Sequence, residues 1–254
     1  MIKVIKVGGG IIEQKDDLNL FLNSFSKIEG PKVLIHGGGR LATKVAENLG
    51  YKTKMVEGRR VTDENMLKVV TMVYGGLTNK KIVAALQAKG INALGLSGAD
   101  GNLITAKKRP VDKIDYGWVG DINDVNSNLL INLIENNIVP VVAPLCHDGN
   151  GKILNTNADS IANEVSKALA QKEDTELILG FELDGVLKDF NDKSSVIKKI
   201  TPELFHKFKL EGIISEGMIP KLSNAFDAIS AGVSSVRICN ALKVAENTGT
   251  VISK

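Results

Sequence analysis

The chain has 254 residues, 43% hydrophobic and 24% charged, enough to bury a sizeable core in one large α/β unit or in two lobes sharing a sheet. Its 32 basic and 29 acidic residues leave a net charge of +3, too slight an excess for a nucleic-acid surface and no obstacle to an anionic metabolite. With two cysteines in unrelated contexts and three histidines in all, buried thiols in a reducing cytoplasm are expected rather than a metal site, and no apolar run approaches the ~20 residues of a membrane span.

Residues 2–7, a β-branched run ahead of three glycines, read as a strand. A helix over 16–28 follows, with Leu18, Phe21, Leu22 and Phe25 at i, i+3, i+4 and i+7 and Gly30 as its stop. Strand 32–36 leads through a second glycine triplet into helix 40–49. Thr62 is the expected cap of a helix buried along Met66, Val69, Val70 and Val73; helix 79–89 ends at Gly90, and strand 92–96 comes next. The stretch 100–125 mixes Gly, Asp, Lys and Tyr with short β-like pieces and reads as hairpins on the edge of the sheet. Helix 127–136, strand 138–143, helix 158–170 capped by Asn157, and strand 176–180 continue the alternation. The last helix has Pro220 in its first turn and packs Leu222, Ala225, Phe226 and Ile229, with strand 235–239 after it. Strands alternating with helices predict an α/β fold whose parallel sheet is covered on both faces. The charged segment 170–177 is the expected seam between lobes 1–170 and 171–254.

Two glycine triplets, each between a strand and a helix, can expose backbone N–H groups to an anion, because no Cβ stands in the way of phosphate oxygens. The P-loop pattern is absent. Gly37, Gly39 and Ala42 satisfy G-x-G-x-x-A, with Glu57 at the distance of a ribose-binding acid, as a nicotinamide-dinucleotide oxidoreductase would require. That match leaves the first triplet and Lys6 without a purpose. Three other segments carry charge where strands and helices meet. "GRRVTDE" (58–64) sets Arg59 and Arg60 before a helix cap, and "LNTNADSIA" (154–162) gathers Asn155, Asn157 and Asp159 at a helix start. "EGMIPKLSNA" (216–225) puts Lys221 in a first helical turn, where it opposes the helix dipole unless an anion is shared. Taken singly, each also suits a solvated arginine, an ordinary cap or a surface lysine.

In order, "IKVGGG", "HGGGR", "GRRVT", "NTNADSIA" and "GMIPKL" resemble the amino acid kinase family, and "GLSGADGNLI", "GWVGDI" and "VPVVAPL" between them are similar to it as well. The resemblance spans nearly the whole chain and is to the branch that acts on N-acetylglutamate. It implies a three-layer αβα sandwich with a mainly parallel central sheet. It also implies that ATP, with Mg²⁺ held through its phosphates, phosphorylates the side-chain carboxylate of an N-acylglutamate to an acyl phosphate in arginine biosynthesis. By the same resemblance Lys6 and Lys221 are the catalytic lysines and Asp159 orients them. Gly38, Gly39, Arg60 and Asn155 would bind the acylated amino acid, and Gly8, Gly9 and Lys221 the nucleotide phosphates. The lobe 1–170 would then hold the amino acid and 171–254 the ATP.

The residue types suit that chemistry. A carboxylate acceptor is already ionised, so no general base is needed and His36 has no proton to move. Ammonium groups and backbone N–H donors fit a polyanionic transition state, and an arginine grips a carboxylate bidentately. The sequence departs from the family at Phe181 and Glu182, where a small hydroxyl residue and an aspartate are usual. A succinyl in place of an acetyl group would need a further cation, for which Arg59, Lys108 and Arg109 are the candidates. Only five residues precede Lys6, which leaves no room for the helix that builds hexamers in arginine-inhibited members. A homodimer paired through helix 79–89 and insensitive to arginine is therefore expected.

Overall fold

Apolar runs separated by helices have one way to hide both faces, which is to lie side by side beneath helical layers. The computed structural model, which describes residues 1–56, 58–214 and 218–254, shows this arrangement. Strand β1 (Ile2–Val7) leads into α1 (Gly9–Glu13) and α2 (Lys15–Ser26), and β2 (Lys32–His36) into α3 (Gly39–Asn48). The short arms β3 (Met55–Val56) and β4 (Arg59–Arg60) precede α4 (Glu64–Val70), a π-helical stretch Thr71–Thr78 and α5 (Asn79–Gln87). Next come β5 (Ala93–Leu96), β6 (Ile104–Lys108), β7 (Gly120–Val125) and α6 (Ser127–Glu135). Strands β8 (Val139–Val142), β9 (Leu145–His147) and β10 (Ile153–Asn155) lead to α7 (Ala158–Ala170). The chain finishes with β11 (Thr175–Phe181), β12 (Lys199–Ile200), α8 (Pro202–Leu210), α9 (Ile219–Ser230), β13 (Ser235–Asn240) and β14 (Thr250–Ile252).

Eight strands form the main sheet in the order β12-β14-β13-β11-β1-β2-β8-β5, and every pair is parallel except β13 with β14. The sheet is continuous across the charged segment 170–177, since β1 pairs with β11 from Ile2–Thr175 to Val7–Gly180. Strand alternation sorts the side chains into two layers. Ile2, Val4, Val33, Ile35, Leu177 and Leu179 meet Ile161, Val165 and Leu169 of α7 and Leu222, Ala225 and Ile229 of α9. Ile5, Val7, Leu34 and Ile178 meet Leu18, Phe21, Leu22 and Phe25 of α2 and Ile82 and Leu86 of α5. Each such side chain, fully buried, contributes about 1.5–3 kcal/mol, and the two layers lock the strand register.

Three expectations need correction. The hairpin β6–β7 belongs to a separate four-stranded sheet, β10-β9-β6-β7, and not to the edge of the main one. The chain is drawn off at Gly98, whose N–H donates to Leu145 O at 2.6 Å and where any Cβ would lie 2.8 Å from Leu145 O and Ile104 O. Asp63, not Thr62, caps α4 by accepting from the Met66 N–H at 2.8 Å; the buried Thr62 hydroxyl donates to Arg60 O instead. The helices expected around 66–73 and 79–89 are one run, joined through the π-helical turns that contain Gly75 and Gly76. Helices α1 and α8 add to the expected elements: α1 begins on glycines, and α8 has no fully buried stripe, although Thr201 and Pro202 mark its start.

Candidate active site

Lys6 follows Ile2 and Val4 at a spacing of two, so it projects from β1 to the face that α7 and α9 cover. There its Nζ lies 2.7 Å from Asp159 Oδ1. Asp159 stands in the first turn of α7, a position the helix dipole favours for an anion, and its N–H donates to the capping Asn157 Oδ1 at 2.7 Å. Lys221 comes from the first turn of α9, and its Nζ sits 3.9 Å from the centroid of the Phe181 ring; Lys6 Nζ is 5.1 Å from the same centroid. Burial lowers the pKa of Lys221 below its ordinary value; Asp159 opposes that shift and Lys6 adds to it.

The glycine triplets meet above these groups. A Cβ on Gly37 would lie 3.0 Å from Gly9 N, and one on Gly9 would lie 3.2 Å from Gly38 N. Gly38 has φ +156, and a Cβ there would press on the Tyr74 ring at 3.1 Å. Bare backbone at these positions is what lets the two loops touch. Gly8 and Gly38 precede α1 and α3 and offer no side-chain cap; the Leu41 N–H of α3 donates to Glu13 Oε1 at 2.7 Å, while the Gly9 and Gly39 N–H groups have no acceptor among the described residues.

Lys6, Gly9, Gly38, Gly39, Asn155 and Asp159 border one cavity of about 450 Å³, and Arg60 closes its far wall. Arg60 Nη2 donates to Gly39 O at 2.6 Å and to Thr43 Oγ1 at 2.9 Å, Nη1 lies 3.8 Å from the Met66 sulfur, and the guanidinium also bonds the Tyr74 side chain. Asn155 Nδ2 donates to Thr62 Oγ1 at 2.9 Å. Gly8 lies beneath Lys6 Nζ, which would be 4.0 Å from a Cβ there. Lys221 is not on this wall; it borders a smaller adjoining space of about 10 Å³ that also touches Asp159. Of the three candidates for an acyl cation, Arg59 and Arg109 border the larger cavity, Arg109 holding Asp121 with its Nε 3.0 Å from Oδ1. Lys108 is exposed and instead covers the Trp118 ring.

His36 ends β2 but has no part in the site. Its ring is fully buried, and Nδ1–H donates to Gly37 O at 2.8 Å. Burial pushes its pKa down to about 4, partly opposed by the bond to Gly37 and aided by Lys80. Glu57 of the dinucleotide-type match and Gly217 of the "GMIPKL" segment lie outside the described residues.

A sheet carrying two glycine-lined helix starts and a lysine–aspartate pair at one end narrows the family, and comparison decides it. The amino acid kinase family profile matches residues 1–240. The chain belongs to the amino acid kinase family. An acetylglutamate kinase of Phocaeicola vulgatus is 59% identical over 253 residues, covering 100% of this chain and 98% of its own. The crystal structure of smu.665 from Streptococcus mutans superposes with a TM-score of 0.79 at 31% identity, covering 99% of this chain and 98% of that one. Carbamate kinase from Giardia lamblia, bound to AMP-PNP, shares the fold alone, with a TM-score of 0.72 at 15% identity and coverage of 100% and 98%. The chain is thus a kinase with the three-layer architecture of its family.

The sequence left two residues around the site of this amino acid kinase without a role. Tyr74 borders the cavity beside Gly38 and Arg60, and burial raises its pKa, with Arg60 pulling the other way. Next to Val73 of the expected buried stripe, it gave no sign of that in the sequence. Phe181 stood out as a departure from the family pattern in a segment expected near the nucleotide, and nothing local marked it as a neighbour of both lysines.

Proposed function

We propose that this kinase transfers the γ-phosphoryl group of ATP to the side-chain carboxylate of N-acetyl-L-glutamate, giving an acyl phosphate, in arginine biosynthesis. The observation that carries the reading is the Lys6–Asp159 pair, held at 2.7 Å beneath two glycine-lined helix starts whose Gly9 and Gly39 N–H groups have no acceptor among the described residues. Those N–H groups, with Gly8 and Gly9 at one helix and Gly38 and Gly39 at the other, present donors on both sides of a polyanion. Lys6 and Lys221 offset charge that spreads over the moving oxygens, and Asp159 relieves their mutual repulsion. Arg60, on the cavity wall, presents its guanidinium to the α-carboxylate, and Asn155 supplies an amide to the acylamino group. Mg²⁺ carried on the nucleotide phosphates neutralises part of their charge. No side chain has to accept a proton, which agrees with a buried, neutral His36.

Residues 1–170 are assigned to the acylated amino acid and 171–254 to ATP, with Lys221 as the nucleotide-side cation. A cytoplasmic location suits two buried free cysteines; no helix among the described residues is long and apolar enough to cross a membrane. A homodimer paired through helix 79–89 would also cover the flanking Met72 and Leu77 of the π-helical stretch and Leu94 of the edge strand β5, large apolar side chains left exposed. N-succinylglutamate is the second reading of the acceptor, favoured by Arg59 and Arg109 on the cavity wall.

A coupled ADP-release assay tests both, with glutamate, N-acetylglutamate, N-succinylglutamate, aspartate, carbamate and uridylate as competing acceptors. The highest kcat/KM on N-acetylglutamate is expected. A preference for N-succinylglutamate replaces the first reading by the second, and activity only on aspartate, carbamate or uridylate defeats both.

A further inference from the structure

Lys221 reaches the site on a flexible side chain, from a helical turn whose dipole repels it. Among the described residues its Nζ has neither a hydrogen-bond acceptor nor an ion-pair partner; Asp159 and Lys6 act on it only from a distance. What lies against it is a ring. Phe181 ends β11, and the strand's alternation carries it on from Leu177 and Leu179 to the face covered by α7 and α9. It packs against that core, and its ring takes Lys221 Nζ at 3.9 Å and Lys6 Nζ at 5.1 Å from the centroid. Gly180, just before it, keeps this end of the strand close, since a Cβ there would lie 3.1 Å from Lys6 O and from the Ala241 Cβ.

An aromatic face attracts an ammonium group, most strongly where water is excluded. It differs from a second carboxylate in two respects that matter here. It adds no negative charge to repel a phosphate, and it makes no hydrogen bond that incoming oxygens must break. We propose that Phe181 is a positioning residue, whose ring holds the Lys221 ammonium beside that of Lys6 so that both face one migrating phosphoryl group. This rests on the kinase reading above. Asp159 is then the one carboxylate among the described residues that acts on both lysines, and the ring supplies the rest of their restraint at no electrostatic cost to the nucleotide.

Fluorination of the ring tests this, because it withdraws negative potential from the face while keeping the shape. Phe181 is replaced in the full chain by 4-fluoro-, 3,5-difluoro- and 3,4,5-trifluorophenylalanine, and ADP release is measured with the preferred acceptor. We expect kcat to fall stepwise with each fluorine, to roughly one-fifth in the trifluoro protein, while KM for the acceptor stays within about twofold. Phe181→Leu should fall by about tenfold and Phe181→Tyr should stay near wild type. An active wild type with a flat fluorine series overturns the inference and leaves the kinase reading intact. A wild type that releases no ADP with any acceptor defeats that reading, and the inference falls with it.

Discussion

His36 should make the fold acid-sensitive by an amount that its surroundings set. Its Nε2 faces Asn79 Nδ2 at 3.1 Å, and that amide is fixed, since Nδ2 also donates to Val141 O at 2.9 Å and Oδ1 accepts from Lys80 Nζ at 3.2 Å. Nε2 must therefore accept, so a second ring proton would oppose an N–H in a fully buried site with Lys80 nearby. The folded pKa of about 4 lies below the ordinary 6.5, so as pH falls through that window the unfolded chain takes up a proton that the folded one refuses. Stability rises with pH across the window and is lost on acidification, by about 2 kcal/mol between pH 7 and pH 5 and about 3 kcal/mol by pH 4. Urea unfolding followed through the single tryptophan, Trp118, at several pH values would measure it. His36→Gln, which cannot titrate, should start less stable but lose less by that amount over the same range. Parallel curves for the two proteins, or an imidazole proton resonance of His36 titrating near pH 6.5, would refute the reasoning.

Three further outcomes concern the site. Lys6→Met and Lys221→Met should each lower kcat by at least ~10²-fold in the ADP-release assay, as removal of a transition-state donor does, and near-normal turnover would dismiss the residue concerned. Arg60→Ala should raise KM for the acylglutamate by roughly tenfold or more and leave KM for ATP unchanged; a selective ATP defect would reverse the assignment of that wall. Gly37→Ala brings a Cβ to 3.0 Å from Gly9 N, backbone that cannot swing aside, and should cost about 1–3 kcal/mol in thermal or urea unfolding together with most of kcat. A stable, fully active Gly37→Ala protein would show that the two loops need not touch.

The sequence by itself determined the local elements and the sidedness of each. The spacing of Ile2, Val4 and Lys6 already sets the lysine on one face of β1, the stripe of Leu18, Phe21, Leu22 and Phe25 is buried as its period requires, and Asn157 caps α7 where it stands. These properties depend on residues a few positions apart, which is the range that backbone conformation and periodicity control. Only the tertiary structure decided which ends meet. That β11 pairs with β1 is a matter of the whole sheet's packing, and this pairing is what delivers Phe181 to Lys6 and, through α9, to Lys221. The departure of β6 and β7 into a second sheet, and the arrival of Tyr74 beside Gly38, were likewise fixed by contacts between segments distant in the chain. Such contacts form where buried area and steric fit are best overall, and no short window of sequence holds that sum.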